Sequence, residues 1–165
     1  MKINLRKLKL RQEEAVNFLF TDKLNDQFLT DSDAALSEPT EIKLEVKRQN
    51  AVYYGQGTLK TTIEYTCSRC LKKFTQPLAL DLSFIITEAE NQTEFDEEVI
   101  LLSNDEADLT FYIEGVIFAQ VPLNPICSTD CRGLCPLCGK DKNANNCNCH
   151  IDDIDPRWEK LKKYK

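Results

Sequence analysis

The sequence predicts an α+β fold: an antiparallel β-meander packed by one main helix, then a Cys-rich appendage and a short terminal helix. From Ile42 to Ile86, apolar residues recur at every second position over long stretches, the period of half-buried strands. From Leu109 to about Gln120 they recur once at helical spacing. Between Cys127 and Cys149 lie six of the chain's eight cysteines, in a stretch with little apolar content of its own. The expected division is a β-rich core over 1–126, a Cys-rich segment over 127–150 and a basic C-terminal helix over 151–165.

The first ten residues, MKINLRKLKL, alternate Ile3 and Leu5 with polar and basic residues, which predicts a short strand followed by an irregular step. Lysines there suit an edge strand that must not pair with another molecule; a phosphate-binding arm is the sharper alternative. Ala15, Phe18 and Leu19 among helix formers predict a short helix from Glu13 to Phe20. The polar run from Thr30 to Thr40, with Pro39 near its end, reads as a loop. Alternation then begins with Ile42, Leu44 and Val46 and resumes through Val52, Tyr54, Leu59, Thr61, Ile63 and Tyr65. Gly55-Gln56-Gly57 marks a turn or bulge between or within strands. Tyr53, Tyr54 and Tyr65 read as sheet packing rather than a platform for stacked bases.

The pair Cys67 and Cys70 falls at a strand end, and Phe74, Leu78, Leu80, Leu82, Phe84 and Ile86 alternate beyond it. A knuckle therefore joins two antiparallel strands. The acidic stretch that follows reads as a solvated face enclosing a short strand or strap at Val99 to Leu102. Asp108 can cap the main helix, whose apolar face is Leu109, Tyr112, Ile113, Val116 and Ile117, widened by Phe111 and Phe118. Gly115 weakens that helix and is expected to allow close packing on the sheet. Pro122 and Pro125 end it and direct the chain towards Cys127. Asp155 and Pro156 start a short terminal helix carrying Trp158 and Leu161.

Eight thiols in this arrangement divide into two tetrahedral sets, Cys67, Cys70, Cys127 and Cys131, and Cys135, Cys138, Cys147 and Cys149. Zinc takes four thiolates in a closed structural site, so two structural Zn2+ ions are expected. Gly139, directly after Cys138, suits the tight turn of a knuckle. The first set must close the loop from Cys70 to Cys127 at about 4 kcal/mol plus a constant. Binding of structural zinc, worth roughly 10–16 kcal/mol, offsets that. A disulfide framework fits poorly, because MKINLRKLKLRQEE has no apolar signal region and a chain this long can bury a core without staples. A redox dithiol at Cys67 and Cys70 would open a helix, whereas this one runs into Pro77 and a strand pattern. His150, the only histidine, is an alternative ligand beside Cys149.

Net charge is −6, against wholesale coating of a nucleic acid. The charge is segregated: Lys2, Arg6, Lys7, Lys9 and Arg11 lie at the start, nine acidic residues fill Glu88 to Asp108, and five basic residues oppose Glu159 in the last nine. Such a balance suits local phosphate contacts or a basic protein partner. No phosphate-cradling glycine loop or nucleophile elbow occurs. All-thiolate sets leave no position for a reacting water, so no enzyme is expected.

The segments CSRCL (67–71), PICSTDCRGLCPLCG (125–139), CNC (147–149) and DPRWEKL (155–161) together resemble the bacterial YceD family, the large ribosomal RNA subunit accumulation proteins with relatives in plastids. The resemblance implies a cytoplasmic protein needed for accumulation of the large-subunit ribosomal RNA and hence for ribosome assembly; with no catalytic constellation in the sequence, a non-enzymatic factor is expected. The partner it implies is a large-subunit precursor, through ribosomal RNA or a ribosomal protein, with no membrane and no small-molecule substrate. Alternatives are a direct RNA-binding zinc-knuckle module and a metal-dependent RNA-processing enzyme. The tail residues Arg157, Trp158, Lys160, Lys162 and Lys163 are the candidate contacts to RNA or partner.

Overall fold

The computed structural model describes residues 1–88, 99–144 and 147–149. In chain order the elements are β1 (Lys2–Asn4), α1 (Arg6–Lys9), β2 (Ala15–Asp22), a 3₁₀ helix (Asp26–Ser32), β3 (Ala34–Leu36), β4 (Thr40–Gln49), β5 (Val52–Thr66), β6 (Lys73–Thr87), β7 (Ile100–Ser103), β8 (Glu106–Asp108) and α2 (Thr110–Phe118). The strands form one sheet in the order β1-β8-β7-β6-β5-β4-β2, with β3 also against β5.

The meander is present as β4-β5-β6, three long antiparallel strands, whose buried residues follow the predicted alternation except at the start of β5, where Tyr53 is buried while Val52 is half-buried and Tyr54 exposed. Leu59, Ile63, Ile42, Val46 and Ile86 are fully buried there. Beyond this centre the sheet departs from a meander. β7 joins β6 in parallel, through Ile86↔Ile100 and Thr87↔Leu101, and residues 88–99 supply the dozen or so positions that a parallel connection needs.

The helix expected at Glu13 to Phe20 is instead β2. Val16, Phe18 and Phe20 lie opposite Val46, Leu44 and Ile42, so the cross-strand neighbours settle a pattern that local propensity leaves open. The helical turn comes earlier, at Arg6–Lys9, and buries Leu8. The expected loop from Thr30 to Thr40 holds the end of the 3₁₀ helix and β3. β3 and β4 together form one interrupted strand against β5: four residues separate Leu36 from Glu41, while two separate Lys60 from Ile63. The surplus bulges at Ser37, whose N–H and hydroxyl both donate to the Thr62 carbonyl, at 2.9 and 3.0 Å.

Gly55 and Gly57 lie within β5 without a turn or any break in register. They mark close approach: a Cβ on Gly55 would lie 2.2 Å from the Phe84 ring, and one on Gly57 2.0 Å from the Lys43 carbonyl oxygen. Tyr53 and Tyr65 are buried as sheet packing, and Tyr54 sits at the surface.

The N-cap of α2 is Leu109 rather than the expected Asp108; Asp108, one residue earlier, accepts from the Thr110 N–H at 2.9 Å. Ile113 and Ile117 are the buried face of the helix. Tyr112 tilts against Phe84 at 5.2 Å between ring centroids and fastens the helix to the β6 edge. Its hydroxyl donates to the Ser83 carbonyl at 2.9 Å and accepts from the Ser83 N–H at 3.2 Å. Two further expectations for α2 fail. Phe111 and Phe118 are 77% and 50% exposed rather than part of the apolar face. Gly115 meets nothing within 4 Å of an added Cβ, so it does not serve close packing.

The sheet curls into a near-barrel, and α1 shows how far. Arg48 on β4 donates to the Lys9 carbonyl at 2.6 Å. The Lys9 ammonium pairs with Asp105, between β7 and β8, at 2.9 Å and with Glu88 at 3.1 Å. One helical turn thus touches strands that lie three places apart in the sheet order.

Candidate metal centre

The β5–β6 hairpin ends in the loop Cys67 to Lys72. The Cys67 N–H donates to the Lys72 carbonyl and the Leu71 N–H to the Cys67 carbonyl, both at 2.9 Å, with Leu71 at φ 59°. The loop from Cys135 to Lys140 repeats this geometry. The Cys135 N–H donates to the Lys140 carbonyl and the Gly139 N–H to the Cys135 carbonyl, both at 2.8 Å, with Gly139 at φ 70°. Gly139 thus does what its position predicted, and Leu71 meets the same backbone requirement with its side chain exposed.

Pro125 seats the returning chain on the first knuckle. Its carbonyl accepts from the Ser68 N–H at 2.8 Å and from the Ser68 hydroxyl at 3.0 Å. Cys127 and Cys131 are thereby brought to Cys67 and Cys70, as the topology predicted. The thiols of Cys67 and Cys131 lie 3.9 Å apart and those of Cys70 and Cys127 3.7 Å apart. Four sulfurs about 2.3 Å from a tetrahedral zinc ion sit about 3.8 Å from one another, so the donor set fits a metal of that size. Cys67, Cys70 and Cys131 are buried with Phe74 and Ile126 packed against them, which joins this group to the core.

Cys135, Cys138, Cys147 and Cys149 form the second group, and in each group all four sulfurs lie within 4.8 Å of one another. Cys135 is buried, Cys147 half-buried, and Cys138 and Cys149 exposed.

Backbone N–H groups shape the electrostatics. Burial pushes the Cys67 thiol up, but the N–H groups of Cys127, Cys70 and Arg69 outweigh it and hold it at about 6. The N–H groups of Cys138 and Leu137 hold Cys135 at about 6. Cys127, beside Cys70, and Cys149, beside Cys138, are instead pushed up to about 12. The first group favours ionising Cys67 and Cys131 and resists ionising Cys70 and Cys127, and the second favours Cys135 and resists Cys149. A dication among the four removes that repulsion and draws off the remaining protons.

The groups are joined by residues that cysteine spacing did not single out. The Leu134 N–H donates to the Arg69 carbonyl at 3.0 Å. Gly133 (φ 69°) makes room, since a Cβ there would lie 2.9 Å from that same oxygen. The Asn143 amide donates to the Cys131 sulfur at 3.4 Å and to Asp141 at 2.8 Å, while its oxygen accepts from the Arg132 N–H at 2.8 Å. Lys72 pairs with Asp141 at 2.6 Å. The Asp141 carboxylate accepts from the Asn143 N–H at 2.8 Å, a side-chain turn of the kind Asp favours, and cysteine spacing gave no sign of the Asn143 contact with Cys131. His150 and the tail residues Arg157, Trp158, Lys160, Lys162 and Lys163 lie outside the described residues.

A curled sheet whose central hairpin ends in one four-cysteine group, with a second group hydrogen-bonded onto it, defines a class of β-domain with two cysteine groups that could each hold a metal ion. Within that class the chain belongs to the YceD family: the family model described as large ribosomal RNA subunit accumulation protein YceD matches residues 55–165. An uncharacterized protein of Mycobacterium tuberculosis is 31% identical over 124 residues, 73% of this chain and 59% of the relative. The large ribosomal RNA subunit accumulation protein YCED homolog 1, chloroplastic, of Zea mays is 22% identical over 142 residues, 67% of this chain and 48% of the relative. The protein of the same name in Arabidopsis thaliana is 20% identical over 152 residues, 74% and 47% of the two chains. The chain thus spans about half to three-fifths of the length of the curated relatives it matches. No solved structure matches it. Among the described residues, no helix is long and apolar enough to cross a membrane.

Proposed function

We propose that this protein is a non-enzymatic cytoplasmic factor that supports accumulation of large-subunit ribosomal RNA and assembly of the large subunit, with zinc as a structural ion in both cysteine groups. The observation that carries the structural role of the metal is the donor set. Each tetrahedron is completed by four sulfurs of the chain, so an ion there has no position left for a reacting water. This disfavours a metal-dependent processing enzyme. The ribosomal part of the reading rests on the family and on what the plant relatives' names say of them.

Protein purified without chelator should carry about two zinc ions per chain by elemental analysis, and a tagged chain should sediment with large-subunit precursors on a gradient. A zinc ratio near one refutes the paired sites; absence from every precursor fraction refutes the assembly role. The tail residues Arg157, Trp158, Lys160, Lys162 and Lys163 are proposed contacts within that particle, tested by reversing the four basic charges and repeating the gradient.

A second reading, direct contact with RNA at the knuckles, is favoured by Arg132 and Lys140, which lie exposed beside the second group. It predicts RNA affinity that falls steeply with salt, with a slope set by the number of phosphates contacted. Weak, salt-insensitive binding would leave the protein-contact version standing.

A further inference from the structure

We propose that the groove between β7 and α2 docks a basic protein segment that inserts one or two large apolar side chains. The groove measures about 380 Å³ and is lined by Leu101, Phe111, Tyr112, Gly115, Val116 and Ala119. Its rim is unusually apolar for a solvent-facing surface: Phe111 is 77% exposed, and Leu101, on the facing strand, is 44% exposed. Phe118, 50% exposed, extends the apolar surface by two turns along α2. Gly115 opens the middle of the groove. Glycine weakens a helix interior, and with nothing within 4 Å of its absent Cβ no internal contact requires it.

Charge selects the occupant. The described residues from Phe74 to Cys131 include seven acidic ones and no Lys, Arg or His, and both walls of the groove come from this span. Two cations at this end are paired among the described residues: the Met1 amino group with Asp108 at 3.1 Å, and Lys9 with Asp105 and Glu88. Lys2 lies across from Asp108 in the β1–β8 register. Glu114, on α2 beside Phe111 and Gly115, and Glu106, on β8, add negative charge. A phosphate backbone is repelled by such a face, whereas a lysine- or arginine-rich peptide is drawn to it and oriented. An apolar slot between acidic flanks then receives the peptide's aromatic or branched side chains in the manner of helix-in-groove recognition. The inference stands on the groove and does not depend on the ribosomal reading.

The test uses the full chain and a fluorescently labelled synthetic peptide in which lysines flank one Phe and one Leu, read by anisotropy. Control peptides replace the two apolar residues by Ser, or the lysines by Glu. The probe should bind at least about tenfold more tightly than either control. Phe111→Ser and Gly115→Leu should each weaken the probe by about tenfold or more. Gly115→Leu fills the groove from a position with open space, so it should keep the wild-type melting temperature and separates blocked binding from unfolding. Equal binding of the Ser control, or unchanged binding in both variants, overturns the proposal, as does RNA that displaces the probe. So does failure of the wild-type chain to bind the probe, the result expected if a second copy or another part of this chain fills the groove.

Discussion

Cys70→Ser and Cys138→Ser each remove one thiolate, and the structure predicts unequal consequences. In the first group three of four sulfurs are buried against the core, and an ion there closes the loop from Cys70 to Cys127, a constraint of about 4 kcal/mol plus a constant. Coupled metal binding adds roughly 10–16 kcal/mol, against a net stability for a domain of about 5–15 kcal/mol. Cys70→Ser should therefore unfold most of the domain at ordinary temperature. The second group supports the core through fewer links: Leu134 to Arg69, Asn143 to Cys131, Arg132 to Asn143, and the Lys72–Asp141 pair. Three hydrogen bonds at about 1 kcal/mol each, with at most about 1 kcal/mol more for a pair whose lysine is exposed, give a loss of about 3 kcal/mol. At about 2–4 °C per kcal/mol for a chain of this size, Cys138→Ser should lower the melting temperature by about 10 °C and leave the sheet folded. Circular dichroism melts, with zinc measured on the same samples, decide the matter. If Cys138→Ser unfolds the domain as Cys70→Ser does, or if either change releases both ions, the ranking of the two groups is wrong.

Three further outcomes follow from particular contacts. Gly55→Ala drives a methyl into the Phe84 ring and should cost about 1–3 kcal/mol, seen as a lower urea midpoint; an unchanged midpoint would mean that Phe84 can swing away. Asn143→Ala removes the amide that donates to Cys131 and should weaken metal retention in the first group about 10–100-fold, measured by competition with a chromophoric chelator. Asp108 is held at about 2, below its ordinary 3.8, by the Thr110 hydroxyl first and then the Thr110 N–H and the Met1 amino group. Its stabilisation is therefore complete above pH 3.8 and disappears as pH falls through about 2. Half exposure of the side chain limits it to about 1 kcal/mol, and Asp108→Asn should flatten that limb of the acid-denaturation curve.

The residues explain which parts of this architecture were readable. Strands β4, β5 and β6 were, because each buries one face and so writes a period of two into the sequence. The cysteine partition was, because a hairpin knuckle and a chain returning past Pro125 have one economical way to meet. β2 was not: Ala15, Phe18 and Leu19 satisfy a helix as well as Val16, Phe18 and Phe20 satisfy a strand. Only the row Ile42, Leu44 and Val46 on a neighbouring strand decides between them. Gly55 and Gly57 read as a turn because a glycine pair carries no record of which ring or carbonyl approaches it. Asn143 was silent for a related reason, since an amide that holds a sulfur twelve positions away leaves no periodic trace.

The metal groups also change the meaning of the basic residues beside them. A dication held by four thiolates retains a formal charge of about −2, so two loaded groups place about −4 at this end of the molecule. Arg69 reaches back to the Cys131 carbonyl at 3.0 Å, and Lys72 pairs with Asp141 next to the second knuckle. Together with Arg132, Lys140 and Lys142, these cations offset the sulfur charge where it is most concentrated. A basic cluster with that local task is a poor measure of phosphate affinity, however many lysines it contains. Neutralised at the metal end, and with Glu106, Asp108 and Glu114 but no Lys, Arg or His on β7, β8 and α2, the described surface suits contact with a basic protein better than contact with exposed RNA. Salt dependence of binding, not a count of positive side chains, is the quantity that separates the two.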